Sequence, residues 1–171
     1  LYTMYFALTT LEVLCLKIAG MPLYDSFIHA FSTAGTGGFS NRNASVGAYN
    51  SVPIDIVITI FMLLFSINFA VYFLILTKKW REALASDELR FFLGVVAGAT
   101  ALLTISNLGV YSGLGESLRY TVFQVAAIIS TTGFGTADFV LWPQFSQMIL
   151  ILLMFCGASA GSTGGGMKCS R

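Results

Sequence analysis

Two glycine-rich runs, each set between a short amphipathic segment and a long apolar one, constrain this chain more than any other feature. The first is Ser32-Thr33-Ala34-Gly35-Thr36-Gly37-Gly38-Phe39, and the second is Ile129-Ser130-Thr131-Thr132-Gly133-Phe134-Gly135. With Gly38-Phe39 laid on Gly133-Phe134 they stand 95 residues apart (133 − 38 = 95). One such run alone reads as a loop that lets helices pack closely. Two in matched surroundings imply a duplicated unit, and one of this length is far longer than a solenoid repeat.

Composition decides where such a unit can live. The 171 residues are 56% hydrophobic and only 10% charged, against about 25% charged in soluble domains. That is too little charge to coat a water-facing surface, so the expected class is an all-α integral membrane protein. The net charge of +1, with no basic tract among aromatics, points to no nucleic acid partner. Cys15, Cys156 and Cys169 are scattered without a CxxC or Cys/His cluster, so they imply neither a zinc site nor a disulfide frame. The opening Leu1-Tyr2-Thr3 has no charged region of the signal-peptide kind. With the abrupt Lys168-Cys169-Ser170-Arg171 end, it suggests a fragment.

Apolar patterning gives a first unit over 1–77, a linker over 78–90 and a second unit over 91–171. Leu1 to Ala19 reads as a span, broken by Gly20-Met21-Pro22. Leu23 to Phe31 is too short to cross a bilayer, which takes about 20 residues, but long enough to dip in as a pore helix. Asn41 to Ser51 reads as a polar loop and Ile54 to Thr77 as a second full span, with Asn68 its one strongly polar interior residue. Asn68 is assigned chiefly to interspan packing. Phe91 to Tyr111 reads as a third span, Ser112 to Glu116 as a turn, and Ser117 to Ser130 as a second short helix. Ala137 to Gln144 is a loop, and a fourth span starts near Phe145. Lys78, Lys79, Arg81 and Arg90 in the linker outnumber the single Arg42 of the polar loop. The positive-inside rule then makes 78–90 cytoplasmic and brings both glycine runs in from the outside.

In a membrane, a Thr/Gly run offers a line of backbone carbonyls that can replace the hydration shell of a cation, with side chains turned away. Glycine permits the backbone conformations this needs. Thr131, Thr132, Gly133 and Phe134 would line one quarter of such a filter. Thr36, Gly37 and Gly38 would line another. The carbonyls of Thr36, Gly37, Thr132 and Gly133 are the candidate potassium ligands. The alternative register, Thr33-Ala34-Gly35-Thr36-Gly37, also fits T-x-G-x-G; the later one keeps Gly38-Phe39 on Gly133-Phe134. About four runs are needed to enclose an ion, so further repeats or a second chain must contribute.

The fourth span meets Gly157-Ala158-Ser159-Ala160-Gly161-Ser162-Thr163-Gly164-Gly165-Gly166 after only a few turns. Each glycine costs a helix about 1 kcal/mol relative to alanine, so the helix is expected to stop. Unwound backbone at membrane depth survives only where it lines a cavity or is buried in protein. The segment is therefore a candidate gate beneath the filter, formed by Gly157, Ser159, Gly161, Ser162, Thr163, Gly164, Gly165 and Gly166 with Lys168. Lys168 would need a partner, a wet cavity or the membrane boundary. Gly157 and Gly161 also spell GxxxG, a helix-packing motif. The same five residues spell GxSxG, but a nucleophile elbow needs a preceding strand and a later histidine, and His29 lies upstream. The phosphate-loop motif fails because Met167 precedes Lys168 and Cys169 follows it. No enzymatic constellation emerges.

These residues carry a family resemblance. Gly157 through Lys168 resembles the intramembrane loop in the third repeat of the Trk/Ktr/HKT superfamily of potassium transporter membrane subunits. Ser130 to Phe134 with Ala137-Asp138-Phe139 resembles the third filter and its exit, and Ala30 to Ser40 the second. The chain thus looks like repeats two and three of four. The resemblance implies potassium uptake across the cytoplasmic membrane through a carbonyl-lined filter, with potassium the ligand and no covalently bound cofactor. It also implies a homodimer, a cytoplasmic nucleotide-binding regulatory subunit and possible symport. Gly135 departs from the family's usual Thr. A two-pore-domain potassium channel of paired chains and a non-transporting membrane scaffold are the competing readings; the broken fourth span argues against the first.

Smaller features complete the reading. Asp25 and Asp138 are candidate outer-mouth charges that would raise local cation concentration, while Glu116, in the same region, reads rather as an ordinary solvated loop charge. His29 reads as a hydrogen-bonded helix residue. Glu12 and Lys17 are poorly spaced for a helix pair, and Lys17 is free to snorkel.

Overall fold

The computed structural model describes residues 1–168; Cys169 and the end of the second unit lie outside the described residues. Eight α-helices follow in order: α1 Tyr2–Ile18, α2 Leu23–Ala34, α3 Val52–Ser66, α4 Phe69–Leu76, α5 Trp80–Leu84, α6 Asp87–Ser106, α7 Leu114–Ile129 and α8 Gln144–Cys156. No strand occurs among the described residues. The boundaries follow local chemistry. Gly20, at φ +101°, takes the left-handed turn after α1, and Pro22 opens α2 from an extended conformation. Pro53 lies in the first turn of α3 and Pro143 caps α8. Asp87 and Glu88 occupy the first turn of α6, where acidic groups complement the helix dipole.

The expected second span, Ile54 to Thr77, is not continuous. It breaks at Ile67-Asn68, and α3 and α4 meet at a bend of 93°. The cause is local competition for hydrogen bonds. The Asn68 side chain accepts from the Ala70 N–H at 2.9 Å and caps α4, the work for which Asn is suited at a helix start. Helix-breaking also frees Ser66 O and Phe69 N–H, which pair with the glycine-rich segment near the C-terminus. Asn68 is therefore a helix cap as well as a contact between elements, since its Nδ2 also donates to Glu88 of α6 at 3.2 Å. The stretch 78–90 is not a plain linker either: it holds α5 and the first turn of α6.

The expected first span, Leu1 to Ala19, is slightly shortened to α1, whereas the third and fourth reach at least their expected lengths. The run Asp87–Gly109, 23 residues long, is the one unbroken helix among the described residues apolar and long enough to cross a bilayer, and the bent α3–α4 pair makes a second if counted as one span. With 17 and 13 residues, α1 and α8 fall below that length.

Helix α7 is the hub, packing against α3, α6 and α8. One core cluster joins Phe123, Ala126 and Ala127 of α7 to Leu16, Ile58, Met62 and Phe134. A second joins Val125 and Ile129 to Phe92, Leu103, Leu150 and Trp142. Short polar side chains tie the helices inside: Ser146 Oγ lies 2.8 Å from Asn107 Oδ1, and Ser117 donates to Thr104 O at 3.0 Å. Asp55 of α3 and Arg119 of α7 form an ion pair at 2.6 Å. Large apolar side chains such as Phe6, Ile60, Leu102 and Phe155 remain on the outside. With polar links within and apolar groups without, the molecule is arranged for lipid or further protein rather than water.

Candidate ion filter and intramembrane loop

Both short helices stop at equivalent points, α2 at Ala34 and α7 at Ile129. The backbone beyond each then alternates. Thr36 (φ +50°) and Gly38 (φ +69°) are left-handed; so are Thr131 (φ +60°) and Gly133 (φ +80°). Gly37 and Thr132, between them, are not. The alternation therefore pairs Thr36 with Thr131 and Gly38 with Gly133. A β-branched residue in this region is an outlier, and it is held by surrounding contacts. In the first run Thr36 N–H donates to Thr33 O at 3.1 Å and Gly37 N–H to Ser32 O at 2.8 Å. In the second, Thr131 N–H donates to Ile128 O and Gly133 N–H to Ala127 O, each at 3.0 Å.

The side chains of the second run turn into the protein. Thr132 is buried and accepts from Ser130 Oγ at 2.8 Å. Phe134 is buried and stacks on His29, with ring centroids 5.6 Å apart. Gly37 and Gly133 are exposed. The two runs touch backbone to backbone, because a Cβ on Gly38 would overlap Thr132 O.

A polar scaffold backs them. His29 donates through Nδ1 to Asp25 O at 2.8 Å, which leaves Nε2 to accept from Ser40 Oγ at 3.0 Å. This fulfils the expectation of a hydrogen-bonded helix histidine. Gly47 N–H donates to Gly135 O at 3.0 Å, and Gly135 N–H to Ser45 Oγ at 3.3 Å. Asp25 is not a free mouth charge. It is buried and accepts from Tyr49 Oη (2.5 Å), Asn41 Nδ2 (2.5 Å) and Arg42 Nη2 (3.2 Å). The Tyr49 hydroxyl foremost, then Asn41 and Arg42, holds its carboxyl below the usual carboxylate range against the cost of desolvation. Asp138 instead caps a short turn through Val140 N–H at 3.1 Å, and Glu116 accepts from Ser112 Oγ at 2.5 Å. Glu12 is buried, with the Thr33 side chain beside its carboxyl, and Lys17 is exposed.

The segment 157–166 is non-helical from Gly157 (φ +58°) onward. One side of it meets the ends of the runs. Gly165 N–H donates to Thr131 Oγ1 at 2.7 Å, Thr36 Oγ1 donates to Thr163 O at 3.5 Å, and Gly164 packs near Ser130 O. Its other side meets the α3–α4 break. Ser159 N–H donates to Ser66 O and Phe69 N–H to Gly161 O, each at 3.2 Å, while Thr163 Oγ1 donates to Phe65 O at 3.2 Å. Ser162 Oγ donates to Ser159 O at 2.7 Å, and Gly166 packs on Gly157. Lys168 finds its partner in Gly164 O. Ser159 is buried, with no strand before it among the described residues, so the GxSxG spelling has no elbow geometry.

Three contributors escape a reading of the sequence. Glu88 reads there only as a linker charge, yet it accepts from Ala160 N–H at 2.6 Å and from Asn68 Nδ2 at 3.2 Å. The available signal is Ser86-Asp87-Glu88, which marks a helix start. The Asp55–Arg119 pair and the Ser45–Gly47 backing join residues far apart in sequence, and no local pattern announces either.

Two strained Thr/Gly turns that meet a glycine-rich non-helical segment lie at the centre of this helical chain, and the class to which it belongs is that of cation-transport proteins. The family model described as TrkH, cation transport protein, matches residues 1–171, and the chain belongs to that family. It is 37% identical over 180 residues to the Trk system potassium uptake protein TrkH of Salmonella typhimurium, covering 100% of this chain and 36% of that protein. It is 33% identical over 162 residues to the Trk system potassium uptake protein TrkG of Escherichia coli, covering 93% of this chain and 33% of that one. The crystal structure of the potassium transporter TrkH from Vibrio parahaemolyticus superimposes with a TM-score of 0.94 at 31% identity, over 99% of this chain and 37% of that one. The chain spans about a third of the length of these relatives.

Proposed function

We propose that this chain forms two of the four pore-lining repeats of a potassium uptake protein of the cytoplasmic membrane. Main-chain carbonyls of Thr36, Gly37, Thr132 and Gly133 stand in for the hydration shell of a permeating potassium ion, and 157–166 gates the path beneath them. The observation that carries this reading is the matched left-handed pair in each run, Thr36/Gly38 and Thr131/Gly133. Alternation of this kind turns successive carbonyls toward one side, as a carbonyl-lined filter requires. Movement is passive, driven by the membrane potential at about 2.3 kcal/mol per charge per 100 mV. Two more runs complete the ring, the whole protein works as a homodimer, and a cytoplasmic nucleotide-binding regulatory subunit is its partner.

Substitution at Gly133 tests the filter. A Cβ there meets nothing within 4 Å, so the side chain of Gly133→Ser enters open space beside the carbonyls. The variant is expected to assemble and to lower the potassium-to-sodium permeability ratio about tenfold in proteoliposomes, a change of roughly 1.4 kcal/mol. An assembled variant with unaltered selectivity refutes the assignment.

A further inference from the structure

One carboxylate adds to the direct bonds from Ser66, Phe69 and Phe65 that join the glycine-rich segment to the α3–α4 break. Glu88 sits half-buried in the first turn of α6, with each oxygen facing a different N–H donor. Oε1 accepts from the backbone of Ala160, inside the segment, at 2.6 Å. Oε2 accepts from Asn68 Nδ2, at the break, at 3.2 Å. Asn68 is committed on its other side: its Oδ1 accepts from Ala70 N–H at 2.9 Å and lies against Gly161, where a Cβ would come within 2.9 Å of it. Gly161 also has φ +69°, so both its conformation and its lack of a side chain serve this contact. Among the described residues Glu88 makes no ion pair.

We infer that Glu88 and Asn68 form a latch through which the α5–α6 junction holds the 157–166 segment closed. The inference rests on the gating role proposed above and adds what regulates it. On the opposite side the segment touches Thr131 and Thr36 of the two runs, so releasing the latch lowers the cost of withdrawing it from the pore, with the bonds to Ser66, Phe69 and Phe65 left as the remaining hold. The latch lies at the α6 end of the stretch 78–90. A displacement of α5 or of the start of α6 therefore reaches the pore through two hydrogen bonds. Glu88 and Asn68 are positioning residues; neither touches the ion.

The donor and acceptor pattern permits a swap experiment in the full-length transporter that carries this chain. In Asn68→Asp alone, a carboxylate oxygen faces Glu88 Oε2 and the two repel. In Glu88→Gln alone, an amide NH2 faces the NH2 of Asn68. In the double variant all three bonds return, with donor and acceptor exchanged only between positions 68 and 88. The new amide at position 88 accepts from Ala160 N–H and donates to the new carboxylate at position 68, which still caps Ala70.

Rubidium flux in proteoliposomes is expected to rise about tenfold in Asn68→Asp, to rise less in Glu88→Gln, and to return within about twofold of the parent in the double variant. Amide exchange over 159–163 follows the same order. Deletion of Ser162 to Gly165 is the control for the gate. Raised flux on deletion, with the double variant behaving as the product of the singles, overturns the latch and leaves the gate standing. Unchanged flux on deletion overturns both. If the single variants do not assemble, recovered assembly together with parental flux in the double variant supports the pairing. No recovery assigns the two residues to folding and overturns the latch.

Discussion

Gly38→Ala is the sharpest test of how the two runs meet. Any side chain at 38 must adopt φ +69°, which costs an L-residue roughly 1–2 kcal/mol. The new Cβ would also overlap Thr132 O and come within 3.2 Å of Thr132 C and Gly133 C. These are backbone atoms of the opposing run, with no flexible side-chain end that could swing away. Overpacking of this sort typically costs about 1–3 kcal/mol more, giving a total of about 2–5 kcal/mol. Gly133→Ala supplies the reference, because it carries the same conformational cost at φ +80° but its Cβ meets nothing within 4 Å. Comparing the two isolates the contact from the strain. Thermal unfolding of the full-length protein in detergent should place Gly38→Ala several degrees below Gly133→Ala. Ion discrimination should also fall in Gly38→Ala, since one run must retreat from the other. Equal melting temperatures with intact discrimination in Gly38→Ala would show that the runs do not abut as described.

Other outcomes follow from the scaffold. Asp25→Asn should loosen the 41–49 loop, seen as faster amide exchange there, because Tyr49, Asn41 and Arg42 all donate to that carboxylate. The Asp25 carboxyl titrates below its unfolded value of about 3.9. Its stabilisation is therefore complete above that pH and lost as pH falls through the folded value, and Asp25→Asn should flatten that part of an acid-unfolding curve. Arg119→Ala should destabilise by about 3 kcal/mol, because Asp55 stays buried without its partner. Adding Asp55→Ala should recover part of that loss, and strictly additive destabilisation would count against a coupled pair.

Much of the outline was legible in the chain itself. Sparse charge and long apolar stretches specified a helical membrane protein. Thr-Gly spelling at a fixed offset located two equivalent turns, and five glycines after Cys156 ended the last helix. These are local signals: a glycine's freedom, a proline's fixed φ and the hydrophobicity of a segment act through a few neighbouring residues. Their reach explains the failures as well. Ile54 to Thr77 is apolar enough to read as one span, yet Asn68 caps a new helix there only because Ser66 O and Phe69 N–H find partners some 90 residues away, in Ser159 and Gly161. Asp25 has the pattern of a mouth charge until Tyr49, Asn41 and Arg42 close around it.

The amino-acid order thus set the class, the two turns and the broken last helix, since each depends on nearest neighbours. Where Glu88 points, what Asn68 holds and how Gly38 presses on Thr132 were decided only when distant segments came together. A hydrogen-bond partner is fixed by position in space, and that position is a property of the whole packing.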